Sequence, residues 1–295
     1  MIHVDKRGLK HCLRFLPDKV YIQLYYFAKY RKLCNISNPR TYNEKIQWLK
    51  LHDRNKLYPT IVDKVKVKDY VGKKIGFHHI IPTIATWRKA EDIDFDSLPD
   101  SFVLKTNHNS GDIVICKDKS SFNKQQAIMK LKQSLKENFY ENGREWPYKE
   151  VERLILCEKY LVDTRTNELR DYKFFCFNGS VKLFKIDFDR SYDHHANYYD
   201  REGAMLPFGE VACPPKLDNK IEVPDEIHEM IKLAERLAEG FPLIRIDFYL
   251  ADGAIYFGEM TLYPASGFGK LTSPEWEERL GEWIQLPQLK TESIC

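Results

Sequence analysis

Two carboxylates, an arginine and a hydroxyl recur at strand spacing near the C-terminal end of the chain. The segment LIRIDFYLADGAIYFGEMTLYP predicts two β-strands joined by a turn centred on Asp252. Because side chains alternate between the faces of a strand, Arg245 and Asp247 share one face. Glu259 is then expected opposite Arg245 and diagonal to Asp247, with Thr261 farther along the same face. Such oxygen ligands suit Mg²⁺, whereas the alternative is a weak surface ion pair between the arginine and the glutamate.

A lysine inside an apolar strand is the second candidate. Lys105 lies within the run SFVLKT, where its ammonium group needs an anionic partner such as a phosphate. The turn after it contains His108, Ser110 and Gly111, and its small residues allow the backbone N–H groups to approach an anion closely. The alternative is an edge-strand lysine that discourages aggregation, with His108 either contacting substrate or capping the turn.

The third candidate is the end of the apolar run LILCEKYL. This run predicts a strand that leads into a hinge, where the backbone would contact adenine and an acid would reach a nucleotide hydroxyl. The alternative is a solvated pair of opposite charges. The residues concerned are Glu158, Lys159, Tyr160 and Leu161.

Composition limits the classes of function. The net charge of +3 is too small to imply nucleic acid, although residues 1–75 are rich in Lys and Arg and 222–282 is rich in Glu. No run approaches the roughly 18 apolar residues of a membrane span, and the N-terminus lacks the pattern of a signal peptide. Seven cysteines without paired spacing favour reduced thiols in the cytoplasm. The absence of CxxC and HxxxH argues against structural zinc.

The expected elements change character along the chain. Residues 5–75 are predicted to be mainly helical, with Thr41 and Glu44 as a capping box. From about residue 100, short apolar strands alternate with helices, and several strands are joined by hairpin turns. Strands are expected at 80–85, 101–106, 112–116, 154–161, 172–177, 181–187, 243–249 and 254–260. Helices are expected at 63–71, 124–138 and 225–240. This mixture predicts an α+β fold rather than a doubly wound sheet.

The order of these pieces resembles the ATP-grasp superfamily, and EKYL resembles the EK-aromatic-L hinge of the D-alanine–D-alanine ligases. The chain is most similar to one branch, the TupA-like proteins of teichuronopeptide and capsular polysaccharide biosynthesis. The matching stretches are YNEKIQWLKLHDRN, IVDKVKVKDYV, FDSLPDSFVLKTNHNSGDIVICKDKS, GREWPYK, DYKFFCFNG and GEMTLYPASGFGK. They cover the chain from about residue 40 to 280.

The resemblance implies an ATP-grasp fold, in which two α+β lobes grip ATP, with a mainly helical N-terminal region. The expected division is an N-terminal substrate-side region at 1–95, a first lobe with the phosphate loop at 96–160, a second lobe with the Mg²⁺ site at 161–285 and a tail at 286–295.

Roles for the nucleotide-binding residues follow from the same resemblance. Lys105 would contact the phosphates of ATP, while Ser110 and Gly111 would belong to a mobile loop that closes over them, beside His108. The four hinge residues Glu158, Lys159, Tyr160 and Leu161 would line the adenine and ribose pocket.

The resemblance also implies the catalytic centre. Asp247 and Glu259 would bind Mg²⁺, and Arg245 would stabilise the transition state that leads to an acyl phosphate. Thr261 is a departure, because many ATP-grasp ligases have Asn at this position; its hydroxyl can still coordinate a metal or donate to a phosphate.

Further cations are expected to face the phosphates. Lys173 falls where ATP-grasp enzymes often place such a residue. Lys185 and Arg190 are additional candidates, and the sequence leaves open which face of the hairpin they occupy.

The implied activity is an ATP- and Mg²⁺-dependent ligase that activates a carboxylate as an acyl phosphate and joins it to an amine. For this branch, the expected substrates are an amino acid and a uronic acid of a surface polysaccharide or its precursor. A basic, aromatic N-terminal stretch suits an anionic saccharide, and equally suits an amphipathic helix packed on the core. Its members are Lys19, Tyr21, Tyr25, Tyr26, Lys29, Tyr30, Arg31 and Lys32.

Two other classes remain open at this point. A metal-dependent glycosyltransferase is suggested by the acid pairs at 94–96 and 187–189, since acids two positions apart can hold a metal–diphosphate. A non-catalytic carbohydrate-binding protein is the third class. Nucleotide choice separates the first two, and intact acids at Asp247 and Glu259 count against the third.

Overall fold

The computed structural model describes residues 14–164, 169–188, 193–219 and 221–288. Its α-helices are α1 (Asp18–Tyr30), α2 (Tyr42–His52), α3 (Tyr58–Val62), α4 (Val67–Ile75), α5 (Lys124–Lys136), α6 (Phe139–Gly143), α7 (Ile227–Ala238) and α8 (Pro274–Trp283). Its β-strands are β1 (Thr83–Trp87), β2 (Phe102–Thr106), β3 (Val114–Cys116), β4 (Ile155–Lys159), β5 (Asp171–Phe177), β6 (Ser180–Phe188), β7 (His195–Asp200), β8 (Leu243–Ala251) and β9 (Ala254–Thr261). The predicted α+β class is confirmed, since helices accompany two antiparallel sheets.

The first sheet has the strand order β1-β4-β2-β3. In β2, Phe102 and Leu104 point into a small core that the sheet shares with α5, while Lys105 lies on the opposite face. This alternation follows from the two-residue period of a strand. The first predicted strand lies at the edge of this sheet as β1, so the sheet begins before residue 95. The division of the chain at that residue stays a prediction.

The second sheet has the order β7-β6-β5-β8-β9. One face is apolar and packs on α7, whose buried residues follow the helical period. Fully buried residues of that sheet face include Phe174, Phe184, Ile246 and Phe248. The opposite face carries charged side chains, an arrangement that burial disfavours unless those charges are paired.

The helices before β1 pack on the second sheet and on the C-terminal helix. The predicted capping box is present. The Thr41 side chain accepts from the Glu44 backbone N–H, and the Glu44 side chain accepts from the Thr41 backbone N–H. Tyr21 and Tyr26 of α1 are buried in the main core, so for these two rings the amphipathic-helix interpretation holds.

The helix predicted from residue 63 begins at Val67 instead. The Asp63 side chain accepts hydrogen bonds from the backbone N–H groups of Val65 (2.9 Å) and Lys66 (3.3 Å), which forms a turn before the helix. The helix continues to Ile75 and ends at Gly76, whose φ of 107° is accessible to glycine. No helix in the described ranges is long and apolar enough to cross a lipid bilayer.

Candidate active site

The β8–β9 hairpin places two carboxylates side by side, in a register that differs from the predicted one. The turn is the pair Asp252-Gly253, with φ values of 50° and 80°, and it pairs Ala251 with Ala254. The prediction that Glu259 lies opposite Arg245 is therefore wrong. Glu259 pairs with Asp247, and Arg245 pairs with Thr261.

A β-bulge at Gly258 produces this register. Phe248 pairs with Phe257, yet the next residue of β8, Asp247, pairs with Glu259, so Gly258 is an additional residue in β9. A Cβ atom on Gly258 would lie 3.0 Å from a ring carbon of Tyr249 and 3.1 Å from the carbonyl oxygen of Asp247. Glycine therefore fits a position where two backbones approach closely.

Arg245 contacts both acids, and its single charge balances only one of them. Its Nε and Nη2 donate to the two carboxylate oxygens of Asp247 at 2.7 Å each, and Nη2 lies 3.7 Å from Glu259 Oε2. Burial raises the pKa of Asp247 to about 6, although Arg245 and Lys173 favour its ionised form. The carboxylate pair thus has charge available for a cation.

Lys173 of β5 stands directly opposite Asp247 on the same face. Its ammonium group donates to Asp171 and to Asp187 Oδ2 (2.8 Å). Burial alone would lower the pKa of Lys173, but these carboxylates and Asp247 outweigh that effect and raise it. The lysine is therefore a fixed positive charge beside the candidate metal ligands.

Lys185 of β6 is opposite Lys173, which settles its face. Its ammonium group donates to Glu210 at 3.1 Å, and Glu210 also accepts from the Tyr198 hydroxyl at 2.6 Å. Arg190 lies outside the described residues.

These side chains suit a magnesium ion bound together with nucleotide phosphates. Within the described parts of the chain, no cluster of three or more His, Cys, Asp or Glu side chains is placed to hold a metal. Mg²⁺ is commonly bound by one or two carboxylates plus substrate phosphates and waters, and Asp247 with Glu259 supplies that number. The buried Thr261 hydroxyl has no hydrogen-bond partner among the described residues, which leaves an oxygen available on the same strand.

The first sheet contributes a second charged cluster. Lys105 Nζ lies 2.6 Å from Glu158 Oε2, and Lys68 Nζ of α4 lies 2.6 Å from Glu158 Oε1. Burial would raise the pKa of Glu158, but the two lysines hold it below its usual value. The acid thus keeps two cations together on the face of the sheet where Lys105 lies.

Lys64 contacts both the acid pair and the loop after β2. Its ammonium group lies 3.4 Å from Glu259 Oε1 and donates to the carbonyl oxygen of Asn109 at 2.7 Å. The pKa of Glu259 is lowered against the effect of burial by Lys64, Arg245 and Lys105. Arg245 of the second sheet and Lys105 of the first sheet therefore both act on one carboxylate.

The loop after β2 separates into a buried and an exposed part. His108 is buried, and its Nε2 lies 3.2 Å from the carbonyl oxygen of Glu137 at the end of α5. Burial lowers its pKa to about 4, so the ring is neutral. Ser110 and Gly111 are exposed, and Gly111 has a φ of 91°. The exposed part is where a ligand can approach the backbone.

The hinge residues after Glu158 differ in exposure. Lys159 is exposed and donates its backbone N–H to the carbonyl oxygen of Pro82, while Tyr160 and Leu161 are partly buried. Their contact with adenine stays a prediction.

The family model for TupA-like ATP-grasp proteins matches residues 44–285. This chain belongs to the TupA-like ATP-grasp family. The predicted ATP-grasp fold is thereby confirmed, and ATP is the expected nucleotide of a TupA-like protein. A comparison with curated protein sequences finds no match.

Several solved ligases resemble this TupA-like chain in outline. The D-alanine–D-alanine ligase of Helicobacter pylori is 14% identical, with a TM-score of 0.44 over 82% of this chain and 69% of that one. The D-alanine–D-alanine ligase of Bacillus anthracis complexed with ATP is 17% identical, with a TM-score of 0.38 over 69% and 54%. The D-alanyl-alanine synthetase A of Vibrio cholerae is 14% identical, with a TM-score of 0.43 over 77% and 61%. The TupA-like chain spans about half the length of the Bacillus anthracis ligase.

Sequence reasoning missed Lys64 and Lys68 as site residues of this TupA-like protein. Both lie in the stretch IVDKVKVKDYV, where lysines alternate with apolar residues before and into α4. Lys64 and Lys68 are four residues apart, which is typical of a solvated helix face, so only the tertiary contacts with Glu259 and Glu158 distinguish them. The repeated lysine spacing was the available signal.

Sequence reasoning also missed the segment Ala265-Ser266 after β9, which is fixed by hydrogen bonds from and to other elements. Ala265 and Ser266 have φ values of 48° and 54°, a left-handed conformation that is uncommon for residues with side chains. Lys50 Nζ donates to the carbonyl oxygen of Ser266 at 2.8 Å, and the Ser266 hydroxyl donates to Glu145 at 2.5 Å. Burial raises the pKa of Glu145 to about 7. Strain of this kind is concentrated at functional sites.

The described members of the acid pairs that suggested a glycosyltransferase are each paired with a lysine or exposed to solvent. Asp94 and Asp96 are exposed, and Asp96 pairs with Lys124 at 2.7 Å. Asp187 is buried against Lys173, and Asp189 lies outside the described residues. Asp94 and Asp96 therefore form no enclosed site for a metal–diphosphate, and the described acid of the second triplet is paired with a lysine.

Proposed function

We propose that this protein is an ATP- and Mg²⁺-dependent ligase that converts a carboxylate into an acyl phosphate and joins it to an amine. The observation that carries the proposal is the pairing of Asp247 with Glu259 beside the bidentate Arg245. Lys105 lies near enough to lower the pKa of Glu259. Two acids among cations from both sheets provide a place for a metal–triphosphate between the sheets.

In the first step, the protein positions the reactants and offsets developing charge. Lys105 and Lys68 bind nucleotide phosphates, and Glu158 holds the two ammonium groups in place. Arg245 and Lys173 stabilise the charge that spreads over the moving phosphoryl group. Bound Mg²⁺, held by Asp247 and Glu259, supplies further neutralisation of the phosphate oxygens.

In the second step, the amine attacks the acyl phosphate and releases inorganic phosphate. An acyl phosphate in contact with water would hydrolyse, so the site must exclude solvent. The exposed loop at Ser110 and Gly111 closes over the phosphates in this proposal. The Lys64 contact with the carbonyl oxygen of Asn109 ties the base of that loop to the acid pair.

The substrates we propose are an amino acid and a uronic acid of a capsular or other surface polysaccharide, or a precursor of one. This choice is supported by the resemblance to TupA-like proteins of polysaccharide biosynthesis. A hexuronic acid offers the carboxylate that the chemistry requires.

The test is release of ADP by the purified protein with Mg²⁺, ATP, a panel of uronic acids and a panel of amino acids. ADP release that requires both co-substrates, and is lost in Glu259→Gln, is the expected result. Glu152→Gln is a matched control, because this acid is on the surface and its one ion-pair partner among the described residues is Arg88. Thermal stabilisation by UDP-sugars, without any response to ATP and Mg²⁺, would refute the ligase and favour a glycosyltransferase.

A further inference from the structure

A concave pocket outside the catalytic centre is formed by α1, the start of α8 and the segment before α8. Its volume is about 260 Å³. This is below the roughly 300–1,000 Å³ of pockets for drug-sized ligands, so it suits a unit of monosaccharide size rather than a nucleotide. The lining residues are Tyr26, Tyr30, Lys32, Thr41, Lys270, Leu271, Pro274, Glu277 and Glu278.

The wall of the pocket is aromatic and hydroxylated. The rings of Tyr26 and Tyr30 are stacked with their centroids 4.4 Å apart, and the Tyr30 hydroxyl donates to the carbonyl oxygen of Gly269 at 2.8 Å. This hydrogen bond fixes the ring against the chain segment on the other side. A rigid tyrosine offers an apolar surface and a polar tip, which suits the C–H face and hydroxyls of a pyranose.

Two cations stand at the rim. Lys32 and Lys270 are exposed, and neither forms an ion pair within the described ranges. The Lys270 ammonium group lies 5.7 Å from the ring centroid of Tyr30, so charge and aromatic wall are adjacent. On the inner side, the Glu277 carboxylate accepts from the Asn43 side chain at 2.5 Å, and burial raises its pKa to about 7. Lys32 opposes that rise, so its charge acts on Glu277, and the exposed Glu278 also lines the pocket. Neither lysine is held in an ion pair among the described residues, so both ammonium groups can turn to a ligand carboxylate.

The pocket and the catalytic face both adjoin one narrow ribbon, in which residues 209–211 pair with residues 270–272. Val211 donates its N–H to the carbonyl oxygen of Lys270 at 2.8 Å, and Thr272 donates to that of Gly209 at 2.9 Å. Between these bonds, Glu210 and Leu271 form an antiparallel β-bridge, so their side chains lie on the same side of the ribbon. The side chain of Glu210 accepts from Lys185 on the catalytic face, while Leu271 and Lys270 line the pocket.

We propose that this pocket binds a second uronic acid unit of an oligosaccharide whose reacting carboxylate lies at the catalytic centre. Lys32 and Lys270 bind the carboxylate of this remote unit, and Tyr30 contacts its ring. The inference rests on the proposed function, since it adds a subsite for the same substrate. Binding energy from such a remote unit can be used to position the reacting group.

The first experiment measures binding without nucleotide, by isothermal titration with oligogalacturonides of one to six units. The expected result is affinity that increases with length, and a loss of tenfold or more in the double variant Lys32→Gln/Lys270→Gln. The matched control is Lys73→Gln/Lys182→Gln, which removes two exposed lysines outside the pocket. Oligomers whose carboxylates are reduced to alcohols are expected to bind at least tenfold more weakly.

Three results would overturn the inference: no binding of any oligomer, equal binding by wild type and the double variant, or equal binding of the reduced oligomers. The outcome is separable from that of the ligase. Oligomer binding tests the pocket, whereas ADP release tests the ligase. Oligomer binding without ADP release from any uronic acid would therefore support the subsite and refute the ligase. ADP release with oligomer binding that does not depend on length would support the ligase and refute the subsite.

Discussion

Asp247 and Glu259 face each other across β8 and β9 because Gly258 is an additional residue in the second strand. Without the bulge, the two-residue period would pair Glu259 with Ile246 and turn the acid toward the apolar face that α7 covers. One glycine thus determines that the two acids share a face. The candidate metal site depends on this local irregularity as much as on the acids themselves.

Gly258→Val is expected to reduce ADP release by roughly 10- to 100-fold, the loss typical of a small misplacement of catalytic groups. The added Cβ would lie 3.0 Å from the Tyr249 ring and 3.1 Å from the Asp247 carbonyl oxygen, so β8 and β9 must separate. Steady-state assays over a range of Mg²⁺ concentrations measure the effect. Gly258→Ala, with a smaller side chain, should lose less, and activity in the valine variant equal to wild type would show that the spacing is unimportant.

Glu158→Gln is expected to destabilise the nucleotide-free protein by about 3 kcal/mol, because it leaves the partly buried Lys68 and Lys105 without their common counter-charge. ATP phosphates replace that charge, so ATP should raise the melting temperature of the variant more than that of wild type. Calorimetry with and without ATP measures both quantities. The exposed pair of Glu152 with Arg88 provides the control, since Glu152→Gln should change stability by less than about 1 kcal/mol. An ATP response equal to that of wild type would contradict the assigned role of Glu158.

Arg245→Lys is expected to lower kcat/KM by about 100-fold, although the positive charge is kept. A lysine cannot reproduce the two parallel bonds from Nε and Nη2 to Asp247, and it loses the reach to Glu259. Single-turnover measurements of ADP formation separate this effect from ATP binding, which should change less. If the lysine variant retains the wild-type rate, the arginine serves charge balance alone.

His108 is expected to make the protein sensitive to acid. Its pKa is lowered from 6.5 to about 4 by burial, so its contribution to the free energy of unfolding is present above pH 6.5 and is lost as the pH falls through 4. The loss is at most about 3 kcal/mol, since one pKa unit corresponds to roughly 1.4 kcal/mol. Urea unfolding of wild type and His108→Gln between pH 4 and 8 measures it. The difference between the two proteins should change only below about pH 6.5, and a constant difference would show that the imidazole does not titrate in this range.

Much of the fold follows from alternation and turn residues, but the register of the hairpin does not. Alternation correctly places Arg245 and Asp247 on one face of β8. Alternation cannot reveal a bulge, because the additional residue shifts the pairing between strands and leaves no distinct pattern in the sequence of its own strand. Gly258, an interior strand glycine, is the sole local hint.

The cations of the site show a different limit. Lys105 is recognisable because it interrupts an apolar strand, whereas Lys64 and Lys68 resemble ordinary surface lysines around a helix. Their role depends on contacts with Glu259 in the second sheet and Glu158 in the first, which local sequence does not encode.

The contacts of Lys64 and Lys68 also bear on whether this protein can be divided. These lysines precede β1, yet one reaches Glu259 in the second sheet and the other reaches Glu158 in the first. A fragment that begins at β1 would keep every strand and both acids while losing two cations of the cleft. The two-sheet core is therefore not a portable module, and transplanting this chemistry into another protein requires the helices before it as well.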